Sequence, residues 1–346
     1  MANNLRAVII GASTLLGKEL IEELNNSSTG WDLRVAEAAD AGGQLIAGGD
    51  EAMIVQPLTP DVFDGQDVAF FAESASSTRA HWREAQAAKA AVVDLTSALV
   101  AEPRAIVRSP WIDGGNAPDA QTTIVIPAHP AAVMLALVGS RLTSVFGAAT
   151  LAATVLEPAS QLGARGMDEL HQQTVNLLAF HSLPQEVYDA QVAFNLQIAL
   201  GEAAKPGLDK IAEMIGHDLR AIAGETVASA IAMQLVQAPV FHGYTMSVFA
   251  QLPENAETAT VRDALLSDHI KFAPSGEGQP SNQSVAQETD IGLAVREDAA
   301  WRDGGRGYWL WMAADNLKLA ARHAVACAEE LCAIGAAREG AVEQDG

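Results

Sequence analysis

The chain has 346 residues, 49% of them hydrophobic, which is enough for about two domains with sizeable cores. It carries 43 Asp and Glu against 21 Lys and Arg, and this net charge of −22 argues against binding to nucleic acid or anionic membranes, which needs a basic face. With no apolar run near ~18 residues and no signal-peptide pattern at the start, we expect a cytoplasmic protein that does not span a membrane.

The first part of the chain alternates short apolar runs with helical patterns. Residues 6–11 form an apolar run that ends in glycine, as is typical of a buried parallel strand, and a helix is predicted to follow. Further strands are predicted at 33–36, 67–71 and 91–95, with a helix at about 78–89. This alternation predicts a doubly wound, Rossmann-like domain.

The remainder of the chain predicts an α+β domain and a returning helix. Its β-rich stretches are predicted at 143–156 and 228–251. Helical patterns are predicted at 164–181, 207–223 and 317–334. One Gly/Ser/Pro-rich segment, at 274–288, is predicted to be an exposed loop. We therefore predict a Rossmann-like NAD(P)-binding domain formed by 1–128 and 316–346. The second domain is predicted to comprise 129–315.

The turn after the first strand, Gly11-Ala-Ser-Thr-Leu-Leu-Gly17, is a candidate phosphate site, because it opens a helix whose backbone amides can hold an anion. It is not a G-x-G-x-x-G motif, since Ser13 replaces the second glycine. Thr14 has a branched side chain that narrows the approach to a pyrophosphate. By itself the turn is compatible with either a dinucleotide site, with Leu15 and Leu16 at the helix start, or a purely structural connection.

Five collinear segments resemble those of aspartate-semialdehyde dehydrogenases. Gly11 to Gly17 is similar to that family's G-A-T-G-x-V-G turn, and Asp94-Leu-Thr-Ser-Ala98 to its D-N-S-S-A strand end. The other three segments are residues 159–170, Phe194-Asn195 and Ala314-Asp-Asn-Leu-Lys318. The resemblance covers nearly the whole chain and is nearest to the Usg-like branch, whose members depart at the catalytic cysteine. It implies a semialdehyde dehydrogenase fold with a dimerisation domain, and therefore a homodimer.

The family's activity, as the resemblance implies it, is reduction of an aspartyl phosphate by NADPH through a cysteine thioester. The cysteine lies in an N-P-x-C-x-T turn at the start of a helix, where the thiol pKa is lowered. Here the same turn reads Ile126-Pro-Ala-His-Pro-Ala131, which places His129 at the nucleophile position. Neither cysteine of the chain, Cys327 or Cys332, is near this turn in sequence, and both are expected to be core residues. His129 could be a catalytic base, but no nucleophile is recognisable beside it, so this role is less favoured. The simpler interpretation is a loop histidine that makes local hydrogen bonds.

Three further positions of the family's active site are also changed. Tyr244 stands at the position of the acid/base histidine, and a tyrosine with an ordinary pKa is a poor base near neutrality. Gln237 replaces the substrate-binding arginine and cannot make its bidentate charged contact with a carboxylate. Glu157 replaces a glutamine, and an anion there would repel an aspartyl phosphate. The substitutions predict loss of the family's dehydrogenase activity.

The cofactor prediction rests on an acidic residue after the second strand. Asp40 stands at the position of the arginine that holds the 2′-phosphate of NADP in the family. Because an acidic residue there would repel this phosphate, NADP binding is disfavoured. An acidic residue in this region can instead accept a hydrogen bond from a ribose hydroxyl of NAD. The resemblance also places Asn316 among the predicted cofactor-binding residues. An empty cofactor groove is the third alternative.

No zinc-type spacing links the histidines His171, His181 and His323, and the two cysteines form neither a disulfide framework nor a CxxC site, so no metal is expected. Trp301, Trp309 and Trp311 precede the last helix. Their clustering is equally compatible with a contact patch and with a cover over the core.

Two functions from different classes follow from these residues. In the first, the chain is a non-catalytic binding or assembly protein that pairs with itself, an active dehydrogenase or another protein. In the second, it is an NAD-linked oxidoreductase that acts on the aldehyde or oxo group of another substrate without a thioester, a role motivated by Gly11, Gly17, Asp40 and Asn316.

Overall fold

In a computed structural model, the chain forms two compact units: Met1–Ala128 with Ala320–Gly346, and His129–Leu319. The structure describes residues 4–38, 43–48, 51–113, 116–119, 121–273, 278–301 and 304–344. Within these residues, the search for a helix long and apolar enough to cross a bilayer found none.

The first unit is built on a seven-stranded sheet with the order β5-β2-β1-β6-β7-β9-β8. All of its strand pairs are parallel. A separate antiparallel hairpin, β3–β4, follows the second strand. The elements are β1 Leu5–Ile10, α1 Leu15–Asn26, β2 Trp31–Glu37, β3 Leu45–Gly48, β4 Glu51–Ile54, β5 Gln56–Pro57, β6 Val68–Phe71, α2 Ala75–Ala87, β7 Ala91–Asp94, β8 Ala105–Arg108 and β9 Ile124–Pro127.

Continuous apolar runs explain why these strands are parallel and central. All four residues of β6 are fully buried, as expected for a strand that is covered on both faces. The predicted strands at 6–11, 33–36, 67–71 and 91–95 are all present, and α1 buries one stripe that includes Leu20, Ile21 and Leu24. The prediction of a Rossmann-like domain is confirmed.

The second unit is built on a six-stranded mixed sheet with the order β11-β10-β12-β15-β14-β13. The last helix, α7, begins in this unit and continues into the first. The elements are α3 Pro130–Phe146, β10 Thr150–Glu157, α4 Gly163–Leu178, α5 Leu208–Ser229, β11 Ile231–Gln237, β12 Tyr244–Leu252, α6 Thr258–Leu265, β13 Ile270–Phe272, β14 Ile291–Asp298, β15 Arg306–Ala314 and α7 Asn316–Gln344. This is the predicted α+β organisation.

One of the expectations for this unit needs correction, and one is confirmed for most of its described residues. The β-rich stretch predicted at 143–156 starts too early, because α3 continues to Phe146 and ends at Gly147, which has a left-handed φ of 75°. The loop predicted as exposed at 274–288 has its residues 274–277 outside the described part, and most of residues 278–288 are exposed, as predicted. Two of them, Pro280 and Val285, are buried. Both lie against Gly292 of β14, so the loop packs on the sheet.

The side chains of the mixed sheet alternate between a buried and an open face. On β15, Tyr308, Leu310 and Met312 are buried, whereas Trp309 and Trp311 are 38% and 37% exposed. Strand register places Phe249 opposite Trp309 on the same open face. One face of this sheet is therefore core, and the other presents aromatic side chains.

Candidate functional site

The glycine turn of the first unit begins at Gly11 and ends at Gly17, and only glycine fits at these two positions. A Cβ on Gly11, whose φ is +90°, would lie 2.5 Å from the Glu73 backbone, and one on Gly17 would collide with the Gly11 carbonyl oxygen. Thr14 caps α1: its Oγ1 accepts from the Gly17 N–H at 2.9 Å and donates to the Gly11 carbonyl at 2.8 Å. Ser13 is exposed, and Leu15 and Leu16 begin the helix half-buried. The turn is thus tight and glycine-dependent, and the N–H groups of Thr14 and Gly17 are hydrogen-bonded within it.

One acidic residue that the sequence reasoning missed lies directly against this turn. Glu37, the last residue of β2, is 7% exposed, and its Oε1 accepts from the Ser13 N–H at 2.5 Å. The predicted ribose partner, Asp40, lies outside the described residues. The signal that could have identified Glu37 is its position, an acid at the carboxyl end of the second strand.

His129 lies in the second unit, at the N-cap position of α3. Its Nδ1 accepts from the Ala131 N–H at 3.2 Å, and its own peptide N–H donates to Asp218 Oδ2 at 2.9 Å. Pro130 occupies the first turn, where its missing N–H leaves no donor unsatisfied. The imidazole therefore acts as a helix cap, and because Nδ1 is an acceptor, the neutral ring carries its proton on Nε2.

The Nε2 atom of His129 faces two other side chains of the predicted site. It lies 2.9 Å from the Gln161 side-chain amide and 3.4 Å from the Tyr244 oxygen. The proton on Nε2 requires the oxygen of the Gln161 amide to face the ring. Tyr244 in turn donates to Glu157 Oε2 at 2.8 Å. A hydrogen-bonded chain therefore leads from His129 through Tyr244 to Glu157.

Burial shifts the protonation of all three members of this chain. It lowers the pKa of His129 to about 3 and raises that of Glu157 to about 8. Burial and the adjacent Glu157 raise the pKa of Tyr244 well above its ordinary value. The expectation that Glu157 repels an aspartyl phosphate as an anion is therefore wrong, because the buried carboxyl is mostly protonated at neutral pH.

Gln237 and Asn316 hold backbone segments together. The Gln237 amide donates to the carbonyls of Glu157 and Ala238 at 3.0 and 3.2 Å. Asn316, in the second unit at the start of α7, accepts from Ser160 Oγ at 3.0 Å and from the Gly243 N–H at 2.9 Å. Within the described part of the chain, Glu157 Oε1, Gln237 Oε1 and Asn316 Nδ2 are buried without a hydrogen-bond partner. These three atoms are free to meet a water molecule or a polar ligand.

Neither cysteine has the properties of a thiolate nucleophile. Cys327 and Cys332 are unpaired and lie in the part of α7 that belongs to the first unit. Burial raises the pKa of Cys327 far above its ordinary range and that of Cys332 to about 11. Across the described ranges, no group of three or more His, Cys, Asp or Glu residues is arranged to hold a metal ion.

A parallel Rossmann-like sheet with a glycine turn, followed by a mixed-sheet unit with a buried polar cluster at a helix start, defines a two-domain dehydrogenase fold. The family models for the semialdehyde dehydrogenase NAD binding domain and dimerisation domain match residues 6–134 and 142–319. The chain belongs to the semialdehyde dehydrogenase family.

Similar proteins agree with this family and with the Usg-like branch. A USG-1 protein homolog of Pseudomonas aeruginosa is 30% identical, over 96% of this chain and 98% of that protein. An aspartate-semialdehyde dehydrogenase of Rickettsia conorii is 25% identical, with the same coverage of 96% and 98%. The solved structure of a probable aspartate-semialdehyde dehydrogenase from Pseudomonas aeruginosa has a TM-score of 0.79 and 27% identity, over 95% of this chain and 98% of that one.

Proposed function

We propose that this chain is a homodimeric, NAD-binding member of the family that has lost thioester catalysis and acts as a binding or assembly protein. The observation that carries the proposal is the side chain at the start of α3. His129 stands at the nucleophile position, and its Nδ1 is engaged by the Ala131 N–H. In this arrangement the helix N-terminus stabilises an imidazole cap, and no thiol is present there to be activated.

The neighbouring residues do not replace the lost chemistry. With a pKa lowered to about 3, His129 is a weak base. Tyr244, whose pKa is raised, holds its proton even more firmly than an exposed tyrosine. Gln237 is a neutral amide whose donors are engaged by two carbonyls. The site therefore lacks a nucleophile and a cation for an acidic substrate, and neither His129 nor the residue at the family's base position, Tyr244, is a base near neutrality.

NAD is the proposed cofactor, and NADP is disfavoured. The family model for the NAD binding domain covers the glycine turn. Gly11 and Gly17 keep the turn tight against the Glu73 backbone and the Gly11 carbonyl, and the start of α1 that follows is the place where a pyrophosphate would bind. A bound nicotinamide would supply a hydride acceptor. Acidic residues after β2, including Asp40, oppose the 2′-phosphate of NADP.

A homodimer and a cytoplasmic location complete the proposal. The dimerisation domain model covers the whole mixed sheet. The open face of that sheet exposes Trp309 and Trp311 at 38% and 37%, and aromatic side chains are enriched in protein interfaces. Two unpaired cysteines are compatible with a reducing compartment.

The test is the reverse dehydrogenase reaction of purified protein that is free of host enzyme. Aspartate semialdehyde, phosphate and NAD or NADP are mixed with the wild-type chain, and absorbance at the nicotinamide band is followed. We expect no turnover by the wild type. We also expect none by His129→Cys, because the variant still has Gln237 and Tyr244 in place of the family's substrate-binding cation and its base. Robust turnover by the wild type overturns the proposal, and recovery by the single substitution overturns its account of the pocket.

The second candidate, an NAD-linked oxidoreductase acting on another aldehyde or oxo compound, is favoured by one observation. Tyr244 lies between His129, at 3.4 Å, and Glu157, at 2.8 Å, and the pKa of Glu157 is about 8, so a proton can leave or arrive at Glu157 near neutral pH. An aldehyde and ketone screen with NADH tests it. Turnover that survives both His129→Ala and Tyr244→Phe excludes this site as its source.

A further inference from the structure

Strand β11 lies at the edge of the mixed sheet and pairs with β10 on one side only. The Ala230 carbonyl accepts from the Leu151 N–H at 2.8 Å, and the Ala238 N–H donates to the Glu157 carbonyl at 3.0 Å. Main-chain groups alternate between the two sides of a strand. The even-numbered residues of β11 therefore bond to β10, and the N–H and C=O groups of the odd-numbered residues point to the outer edge.

One position of this outer edge is already paired by the chain itself. Gln237 exchanges both of its main-chain hydrogen bonds with Gln197, at 2.8 and 3.1 Å, in an isolated antiparallel bridge. A strand that continued from this bridge would place Ala199 opposite Leu235, but the bridge is not continued. Within the described residues, the other three outward-facing positions of β11 have no such partner: Ile231, Met233 and Leu235.

A cavity of about 680 Å³ lies where the next pair of that antiparallel strand would form. Its walls include residues 198–202, the first turn of α5 and Leu235 of β11. Ile198, which borders it, is 69% exposed, although its side chain is large and apolar. The cavity thus combines apolar walls with unpaired main-chain donors and acceptors, which are the two features that bind an added strand.

The charges around the cavity indicate what kind of strand it fits. The charged side chains that line it are Glu202, Asp209 and Lys210. Lys210 Nζ lies 2.7 Å from a Glu213 carboxylate oxygen, so its charge is compensated and the other two carboxylates leave an excess of negative charge. A second copy paired symmetrically through the same edge would bring these carboxylates together, and like charges oppose that arrangement. The charges therefore favour a different chain that carries basic side chains.

We propose that the outer edge of β11 binds an extended, basic segment of a different protein as an additional strand. The segment pairs with the unpaired positions of β11 and places an apolar side chain in the cavity. This inference rests on the proposed binding or assembly role and names its surface. The edge groups lie in the plane of the sheet, whereas Trp309 and Trp311 project from its open face, so strand addition and the association of two copies use different surfaces.

The experiment is a calorimetric titration of the full chain with a capped hexapeptide of alternating lysine and valine. Two N-methylated forms, one blocked at the valines and one at the lysines, test whether the peptide binds as a strand. Only the N–H groups of alternate residues face the edge, so a strand tolerates one of these patterns and not the other. A hexapeptide of alternating glutamate and valine tests the role of charge.

Two variants test the two features of the surface separately. Met233→Pro removes one outward N–H and leaves the bonds to β10 in place, which is the position where an edge strand tolerates proline. Glu202→Lys reverses a charge beside the cavity, and Glu225→Lys, an exposed change of the same kind at the far end of α5, is its matched control. Thermal unfolding reports whether each fold is retained. If Met233→Pro does not fold, Glu202→Lys and the N-methylated peptides still decide the question.

We expect the lysine peptide to bind with a Kd of about 0.1 mM or lower. One N-methylated form, and not the other, should bind at least about tenfold more weakly. Met233→Pro and Glu202→Lys should each weaken binding about tenfold, and Glu225→Lys should leave it unchanged.

Four results overturn the inference: no binding at millimolar peptide, equal binding of the two N-methylated forms, preference for the glutamate peptide, or dissociation of a dimer by Met233→Pro in sedimentation velocity. The last would show that a second copy occupies the edge. The proposed function fails by a different result, turnover of aspartate semialdehyde by the wild type, so the two failures are distinguishable.

Discussion

The starts of two helices, α1 in the first unit and α3 in the second, differ in the side chain that caps them. At α1 a short hydroxyl, Thr14 Oγ1, caps the helix, and the turn before it keeps glycine where only glycine fits. At α3 the cap is the imidazole of His129, which lies at the family's nucleophile position. The first helix start is thus formed by glycines and a short hydroxyl cap, whereas the second is closed by a buried imidazole cap.

The difference separates sites that are built by backbone from sites that are built by side chains. A phosphate site made of amides and glycines persists as long as the turn keeps its shape. A thioester site depends on individual side chains, and in the proposed function His129, Tyr244, Glu157 and Gln237 have removed its chemistry while the sheet is kept. A fold can therefore keep the cofactor domain of an enzyme after its reaction chemistry is gone.

The most extensive expected effect, on stability and on cofactor binding together, comes from Gly17→Ala, which tests whether the first helix start is an intact backbone site. The new Cβ would collide with the Gly11 carbonyl oxygen. We expect a loss of about 3 kcal/mol in the free energy of unfolding and loss of NAD binding, measured by urea denaturation and calorimetry. The control is Gly216→Ala in α5, where the nearest atom is a flexible Arg220 nitrogen at 3.8 Å. Equal stability of the two variants would contradict this account of the turn.

Glu157→Gln tests the statement that the second helix start encloses a buried neutral carboxyl. Because the pKa of Glu157 is raised to about 8 in the folded protein, its contribution to stability is fully present below about pH 4.5 and is lost as the pH rises towards 8. Between these pH values the wild type should lose on the order of 4 kcal/mol relative to Glu157→Gln. Denaturation curves at pH 5 and pH 8 measure the difference, with Glu213→Gln, exposed on α5, as control. Parallel pH profiles for wild type and Glu157→Gln would refute the raised pKa.

Trp311→Glu tests whether the second unit forms a dimer through the open face of its mixed sheet. Trp311 is 37% exposed on the open face of the mixed sheet, and a charge there should oppose the association of two copies. We expect the dimer dissociation constant to rise about 100-fold or more, which is roughly 3 kcal/mol. Sedimentation velocity measures it, and Leu45→Glu, at an exposed position in the first unit, is the control. Unchanged association would place the interface elsewhere.

The smallest effect is expected from Asp218→Ala, which probes the support of the His129 cap. Its Oδ2 accepts from the His129 N–H at 2.9 Å, and this buried donor is left unpaired in the variant. The free energy of unfolding should fall by about 2 kcal/mol, whereas Glu213→Ala on the same helix should change it by less than about 0.5 kcal/mol. If urea denaturation gives equal values, Asp218 does not support the cap.

The sequence predicted the parts of the molecule that depend on local pattern. The strands of the first unit were predictable because each is a short apolar run, and His129 was placed at a helix start by resemblance. The sequence pattern favours Asp40 over Glu37, because Asp40 aligns with the family's arginine, whereas Glu37 is the last residue of the strand itself. Asp218 carries no local signal, since its contact with His129 joins residues 89 positions apart. The protonation of Glu157 was predicted wrongly because burial, which sequence does not report, determines it.

The most direct test of the central claim, that the first unit keeps a cofactor site while the second has lost its chemistry, is one calorimetric titration of the wild-type protein with NAD. The account predicts one saturable site per chain with a micromolar dissociation constant, about −8 kcal/mol. No heat of binding at millimolar NAD would contradict it. The Rossmann-like unit would then be a scaffold, and the contrast between the two helix starts would have no functional meaning.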